Sequence, residues 1–75
     1  MSIDNPVFKQ LVAAISPVIS IGVGSAIFMV CSQQGLKPMF LEQKDLPALK
    51  PAIINHYQKF WSSKLDQIQE RLNQL

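Results

Sequence analysis

The chain has 75 residues, one cysteine, one histidine and a formal net charge of +2 from seven basic and five acidic side chains. This excludes more than one structural unit, an intramolecular disulfide and a Cys/His zinc cluster, and the charge surplus is too small and dispersed to point to nucleic acid. A domain this short is marginal without a partner, a metal or disulfides.

Residues 1–10 read as a short N-terminal flank, MSIDNPVFKQ, whose Asp4 and single Lys9 make a poor basic leader. No Asp, Glu, Lys or Arg occurs between Lys9 and Lys37. The centre of that gap, LVAAISPVISIGVGSAIFMVC, is about as long as the ~20 helical residues that cross a hydrocarbon core of ~30 Å. It is apolar on every side rather than along one stripe. The fold class expected is therefore all-α, with a single transmembrane helix over residues 11–33. Each Leu, Ile, Val or Phe favours insertion by roughly 0.3–0.6 kcal/mol, but the serines, glycines and proline erode the sum. Such a helix profits from protein neighbours. Gly24-Ser25-Ala26 has the small residues of a cleavage site, yet the weak leader favours retention. Val30 before Cys31 departs from a lipobox, and the only arginine, Arg71, lies far from any Arg-rich presequence.

Within this segment Ser16, Ser20 and Gly24 recur every four residues, the spacing at which small side chains let a second helix approach. They are candidate partner-binding residues. Pro17 is expected to bend the helix and free a carbonyl near Ala13, which then needs a donor. No ionisable group lies inside the span, which argues against a pump or selective channel.

Gly35 and Lys37-Pro38 are stop signals. Residues 34–50 read as a connector containing Pro38 and Pro47, with Asp45 placed to cap a short turn through Leu46–Leu49. Met39, Phe40 and Leu41 form an apolar knot. Residues 51–75 read as one amphipathic helix outside the bilayer, beginning at Pro51. Ile54, Trp61, Leu65, Ile68, Leu72 and Leu75 follow a heptad rhythm, and Tyr57 and Phe60 widen the apolar side. The balanced charges of Lys59, Lys64, Arg71, Asp66 and Glu70 favour a protein rather than a headgroup layer as the cover. Ile54, Tyr57, Trp61, Leu65, Ile68 and Leu72 are the partner-binding candidates here.

The chemical inventory is thin. His56 has no carboxylate or cysteine beside it in sequence, and Cys31 has no basic neighbour to lower its pKa. No catalytic, cofactor-binding or metal-binding residue is assigned. The expected function is a non-catalytic, single-pass accessory or structural subunit of a larger energy-converting membrane complex. Its partners would be larger membrane proteins and the lipid bilayer, with no nucleic acid and no small-molecule substrate. The alternatives are a small membrane regulator that binds an enzyme or transporter reversibly, and a soluble helical oligomer. Lys37, Lys44 and Lys50 after the span, against Lys9 before it, place the C-terminus toward the matrix, stroma or cytoplasm of an inner mitochondrial, thylakoid or bacterial inner membrane.

Overall fold

Over residues 3–75, which the computed structural model describes, the chain forms four helices and no strand. They are α1 (Pro6–Ile15), α2 (Val23–Gln33), α3 (Leu46–Phe60) and α4 (Leu65–Asn73). Single 3-10 turns lie at Pro38–Phe40, Gln43–Asp45 and Ser62–Lys64.

The first helix begins where an asparagine can satisfy its free N–H groups. Asn5 Oδ1 accepts from the Phe8 N–H at 2.9 Å, and Pro6 occupies the position where no donor is lost. The same buried side chain donates through Nδ2 to the Leu41 carbonyl at 3.1 Å and the Met39 carbonyl at 3.3 Å. One residue thus caps α1 and ties it to the connector.

The transmembrane helix expected over residues 11–33 does not form. Pro17 has no N–H to continue α1, and Ser16 turns its hydroxyl back to the Val12 carbonyl at 2.6 Å. The Val18 and Ile19 N–H groups both bond the Ile15 carbonyl at 2.9 Å, closing the helix. Gly22 then takes φ +67°, a left-handed conformation that side chains disfavour, and α2 starts at the next residue. The apolar run is therefore two helices of 10 and 11 residues, each roughly 15–17 Å long. Among the described residues no helix is long and apolar enough to cross a membrane. The single-pass membrane assignment, its choice of inner membranes and its lysine-based orientation are withdrawn with it. The segment's apolar side chains instead face their own chain: Val7, Phe8, Leu11 and Ile15 on α1 meet Val23, Ile27, Val30 and Cys31 on α2 in one core.

α2 ends as its sequence predicts. Gly35 has φ +71°, its N–H bonds the Ser32 carbonyl at 3.1 Å, and the Leu36 N–H bonds the Cys31 carbonyl at 2.8 Å. This is the paired arrangement of a glycine-terminated helix. α3 starts earlier than Pro51. Glu42 and Asp45 form a reciprocal capping box, with Asp45 Oδ2 accepting from the Glu42 N–H at 2.8 Å. Pro47 sits in the permissive first turn. Pro51 lies inside the helix on its exposed side and has no N–H to offer the Pro47 carbonyl.

The tail expected as one helix is divided at Trp61, whose φ −136° and ψ 47° are not helical. Ser62 and Ser63 are poor helix formers whose hydroxyls compete for nearby backbone. The break lets α4 fold back and bury Ile68 and Leu72 in the common core. Each helix then contacts two neighbours, α1 with α2 and α4, and α3 with α2 and α4. Leu11, Ile15, Ile27, Leu49, Ile53, Ile68 and Leu72 fill the centre of this ring.

Arg71 closes it. Its Nε donates at 2.9 Å to the Ala14 carbonyl, the group that the turn at Pro17 leaves without a backbone donor. The sole arginine thus caps α1 from α4, 57 positions away in sequence. A hydrogen bond to a charged donor contributes about 1.5–3 kcal/mol when sheltered, and this one is partly sheltered. Arg71→Ala is expected to lower stability by about 1–2 kcal/mol in urea unfolding, and Arg71→Lys to recover part of that loss. Lys59→Ala, on an exposed side chain, should change it by less than about 0.5 kcal/mol.

Candidate interaction surface

The ring covers only one side of α2. Val23, Ile27, Val30 and Cys31 point inward, whereas Ser25, Phe28, Met29 and Ser32 are exposed, with Gly24 at their edge. On α3 the inward stripe is Leu46, Leu49, Ile53 and Tyr57. Phe60 and Trp61 follow at the end of the helix and remain outside the core.

Met29, Phe60 and Trp61 adjoin along one flank of α2. An open groove of about 450 Å³ runs between the start of α2 and the end of α3, walled by Ile21, Ala26, Tyr57, Phe60 and Trp61. A smaller one of about 210 Å³ continues along the same two helices and shares Phe60 and His56 with it, with Met29 on its α2 side. On the opposite flank of α2 a groove of about 400 Å³ lies between Phe28 and Gly24 on one side and Ile3 and Phe8 on the other. α2 is therefore a ridge between hollows. Ile21 is 79% exposed, Phe60 69%, Met29 50%, Trp61 43% and Phe28 36%. At roughly 200 Å² for a fully exposed large side chain, the four on the α3 flank present about 480 Å², within the ~300–600 Å² of the largest apolar patch on a typical monomer.

This band carries almost no charge, because α2 and the turn before it belong to the stretch without acidic or basic residues. Lys59 stands at its edge. The His56 ring lies edge-on to Tyr57, with centroids 5.2 Å apart, and tilted against Phe60 at 5.5 Å. Neither potential nucleophile is activated. Burial, aided by the negative charge of Asp45, pushes the Cys31 thiol up from its ordinary range. Burial likewise raises the Tyr57 phenol, whose hydroxyl has no hydrogen-bond partner among the described residues. A further hollow, about 700 Å³ between α3 and α4, presents the amides of Gln34, Asn55, Gln58, Gln69 and Asn73. It offers hydrogen bonds without a reactive group.

The partner-binding candidates read from the sequence are dispersed by the fold. Ser16 is half-buried at the end of α1, Ser20 is exposed in the turn, and Gly24 lies on α2. The break between them prevents a shared helix face. Tyr57, Ile68 and Leu72 serve the chain's own core, while Ile54 and Leu65 are half-buried beside it. Trp61 alone of that set joins the exposed band. Ile21, Phe28, Met29 and Phe60 were not among those candidates. The signal for the α2 residues was Pro17 followed by Gly22, which turns an apparent lipid-facing run into a core side and an outer side. Of the connector's apolar knot, Leu41 is buried and Met39 and Phe40 are exposed.

Compared with known proteins, the chain matches no family model, no curated protein and no solved structure at a significant level.

The single tyrosine makes the buried hydroxyl directly measurable. Because the folded state holds the phenol proton more tightly, the stability tied to it is present below about pH 10 and is lost as pH rises through the folded pKa. The phenolate absorbance of the native protein should therefore titrate above the unfolded chain. Tyr57→Phe should remove this alkaline loss and, at neutral pH, raise stability by about 1 kcal/mol, since an unpaired buried hydroxyl is unfavourable. A titration that coincides in native and denaturing buffer would contradict this.

Proposed function

We propose that the chain is a non-catalytic helical interaction module that binds protein through the outer side of α2 and the end of α3. The observation that carries this reading is the nearly uncharged band of Ile21, Met29, Phe60 and Trp61 along two open grooves, with Phe28 exposed on the other flank of α2. The largest apolar patch of a monomer is often a functional contact surface. Aromatic and methionine side chains are also the types that dominate interface cores, and here they cluster while the charged residues lie elsewhere. The reading retains the accessory, structural character expected from the sequence, without a membrane span.

Its chemistry is that of contact. The buried, unactivated Cys31 and the aromatic-packed His56 support binding rather than turnover. A benzoyl-phenylalanine photocross-linker in place of Phe60 or Met29, in the full chain in cells, should give defined protein adducts identifiable by mass spectrometry. The same group in place of Gln69, on the amide-lined side, should give none. Equal yields at all three positions, or no adduct at Phe60 and Met29, would sink the interaction role.

A further inference from the structure

The break between α3 and α4 is concentrated at one residue. Trp61, with φ −136° and ψ 47°, leaves the helical range, whereas Ser62–Lys64 already wind as a 3-10 turn and Leu65 returns to φ −59° and ψ −42°. No glycine or proline lies between Ala52 and Leu75, so no residue there forbids a continuous helix. The bend also leaves bonds unmade. The Trp61 N–H closes α3 on the Tyr57 carbonyl, and the Lys64 N–H turns back to the Trp61 carbonyl at 2.9 Å. Among the described residues, the carbonyls of Gln58, Lys59 and Phe60 therefore receive no backbone N–H. A straight helix would give them the N–H groups of Ser62, Ser63 and Lys64.

The contacts that seat α4 do not depend on this bend. Ile68 and Leu72 enter the core, and Arg71 Nε reaches the Ala14 carbonyl at 2.9 Å. We propose that two copies of the chain exchange α4. Trp61 becomes helical, α3 and α4 run on as one helix, and each α4 takes the seat against α1 and α3 of the other copy. The occupant is a second copy because the seat already holds this helix: the Ala14 carbonyl meets Arg71, and the apolar sides of α1 and α3 meet Ile68 and Leu72. The exchange is reciprocal, so every contact of the closed chain is kept and the assembly stops at two.

The topology adds one new contact. The start of each α4 stays beside the end of the other copy's α3, so the two short hinges lie side by side. Phe60 and Trp61, 69% and 43% exposed at the closed hinge, then meet their counterparts. The heptad rhythm of Ile54, Trp61, Leu65, Ile68 and Leu72, which the bend interrupts, becomes one stripe. This proposal stands on the α3–α4 hinge and is independent of the α2 band. In the closed chain the hinge holds α4 at an effective concentration of about millimolar, so exchange belongs to concentrated protein. The dilute chain, and Gln69 in the cross-linking test, stay in the closed form.

Sedimentation equilibrium of the full chain from about 10 µM to 3 mM tests the exchange. The expected result is a rise from the 8.4 kDa chain mass toward twice that value. Ser62→Ala combined with Ser63→Ala favours the continuous helix and should tighten association about tenfold. Ser62→Pro suits the first position of the 3-10 turn but would crowd the Gln58 carbonyl in a straight helix. It should weaken association at least about tenfold and leave the thermal midpoint of the dilute chain unchanged. Should that variant fold poorly, Ser62→Gly with Ser63→Gly opposes the straight helix without a ring and should weaken association in the same direction. In a mixture of isotope-labelled and unlabelled chains, filtered NOEs should connect Ile68 and Leu72 methyls of one copy to α1 methyls of the other. A single 8.4 kDa species for both the native chain and the alanine pair overturns the exchange. So does a dimer that is indifferent to the hinge substitutions, or one without α4-to-α1 peaks between copies. Adducts of Phe60 and Met29 with a different protein test the α2 band separately.

Discussion

The turn at residues 16–22 is the constraint from which the fold follows. A proline at position 17 cannot supply the N–H that would carry α1 onward, and a glycine at position 22 allows the left-handed step that starts α2. Without these two residues the apolar run would be one long helix with no side to bury against itself. With them it becomes two short helices that present Leu11 and Ile15 to Ile27 and Val30. The turn has a second consequence. It strips the Ala14 carbonyl of a backbone donor, and the Arg71 guanidinium fills that vacancy from the last helix. The break that creates the hairpin thus also supplies the acceptor that docks α4 and completes the ring.

The sequence was legible where local chemistry decides and ambiguous where only burial does. The all-helical class and the glycine stop at Gly35 were readable from patterning and stop signals, whereas α3 starts at Leu46 rather than at Pro51, and the Asp45 carboxylate accepts from the Glu42 N–H instead of capping α3. Pro17 was expected only to bend a continuous helix and to free a carbonyl near Ala13; it ends α1, and the carbonyl met by a side-chain donor is that of Ala14. What misled was the missing charge between Lys9 and Lys37. Hydropathy has the same value for a side chain facing lipid and one facing a protein core, so a charge-free run does not distinguish them. The heptad rhythm marked Ile68 and Leu72 as buried positions but placed their cover outside the chain. The bend at Trp61 carries no glycine or proline to announce it. It forms because α1 offers those residues an apolar surface close by, a tertiary effect that outweighs the preference for a continuous helix.

The candidate surface was hidden by the same ambiguity. A helix apolar all round can be covered in two ways, by lipid or by protein on both sides. In this chain the inner side of α2 is covered by α1 and α3, while Phe28 and Met29 remain for an outside occupant. The all-round hydrophobicity was therefore real, and its physical solution was different. Four helices, the longest of 15 residues, have too little surface to enclose α2 completely. A ring of this size must leave one flank uncovered, and the flank left here is the one without charge.

That flank is held in shape by the core beneath it. Tyr57 is a core residue of α3, His56 stands edge-on against its ring, and Phe60 leans on His56 from the next turn. The exposed phenylalanine is thus positioned by His56, which itself packs on the buried Tyr57 ring. On the other wall, Ala26 and Met29 are carried by a helix whose opposite side is locked by Ile27 and Val30. Side chains positioned in this way lose less rotamer freedom when a partner arrives than side chains on a loose segment. A surface of modest area then needs fewer new contacts to bind, because much of the ordering is already supplied by folding. The small core and the exposed band are in this sense one structure: residues that stabilise the ring also set the spacing of the groups that face outward.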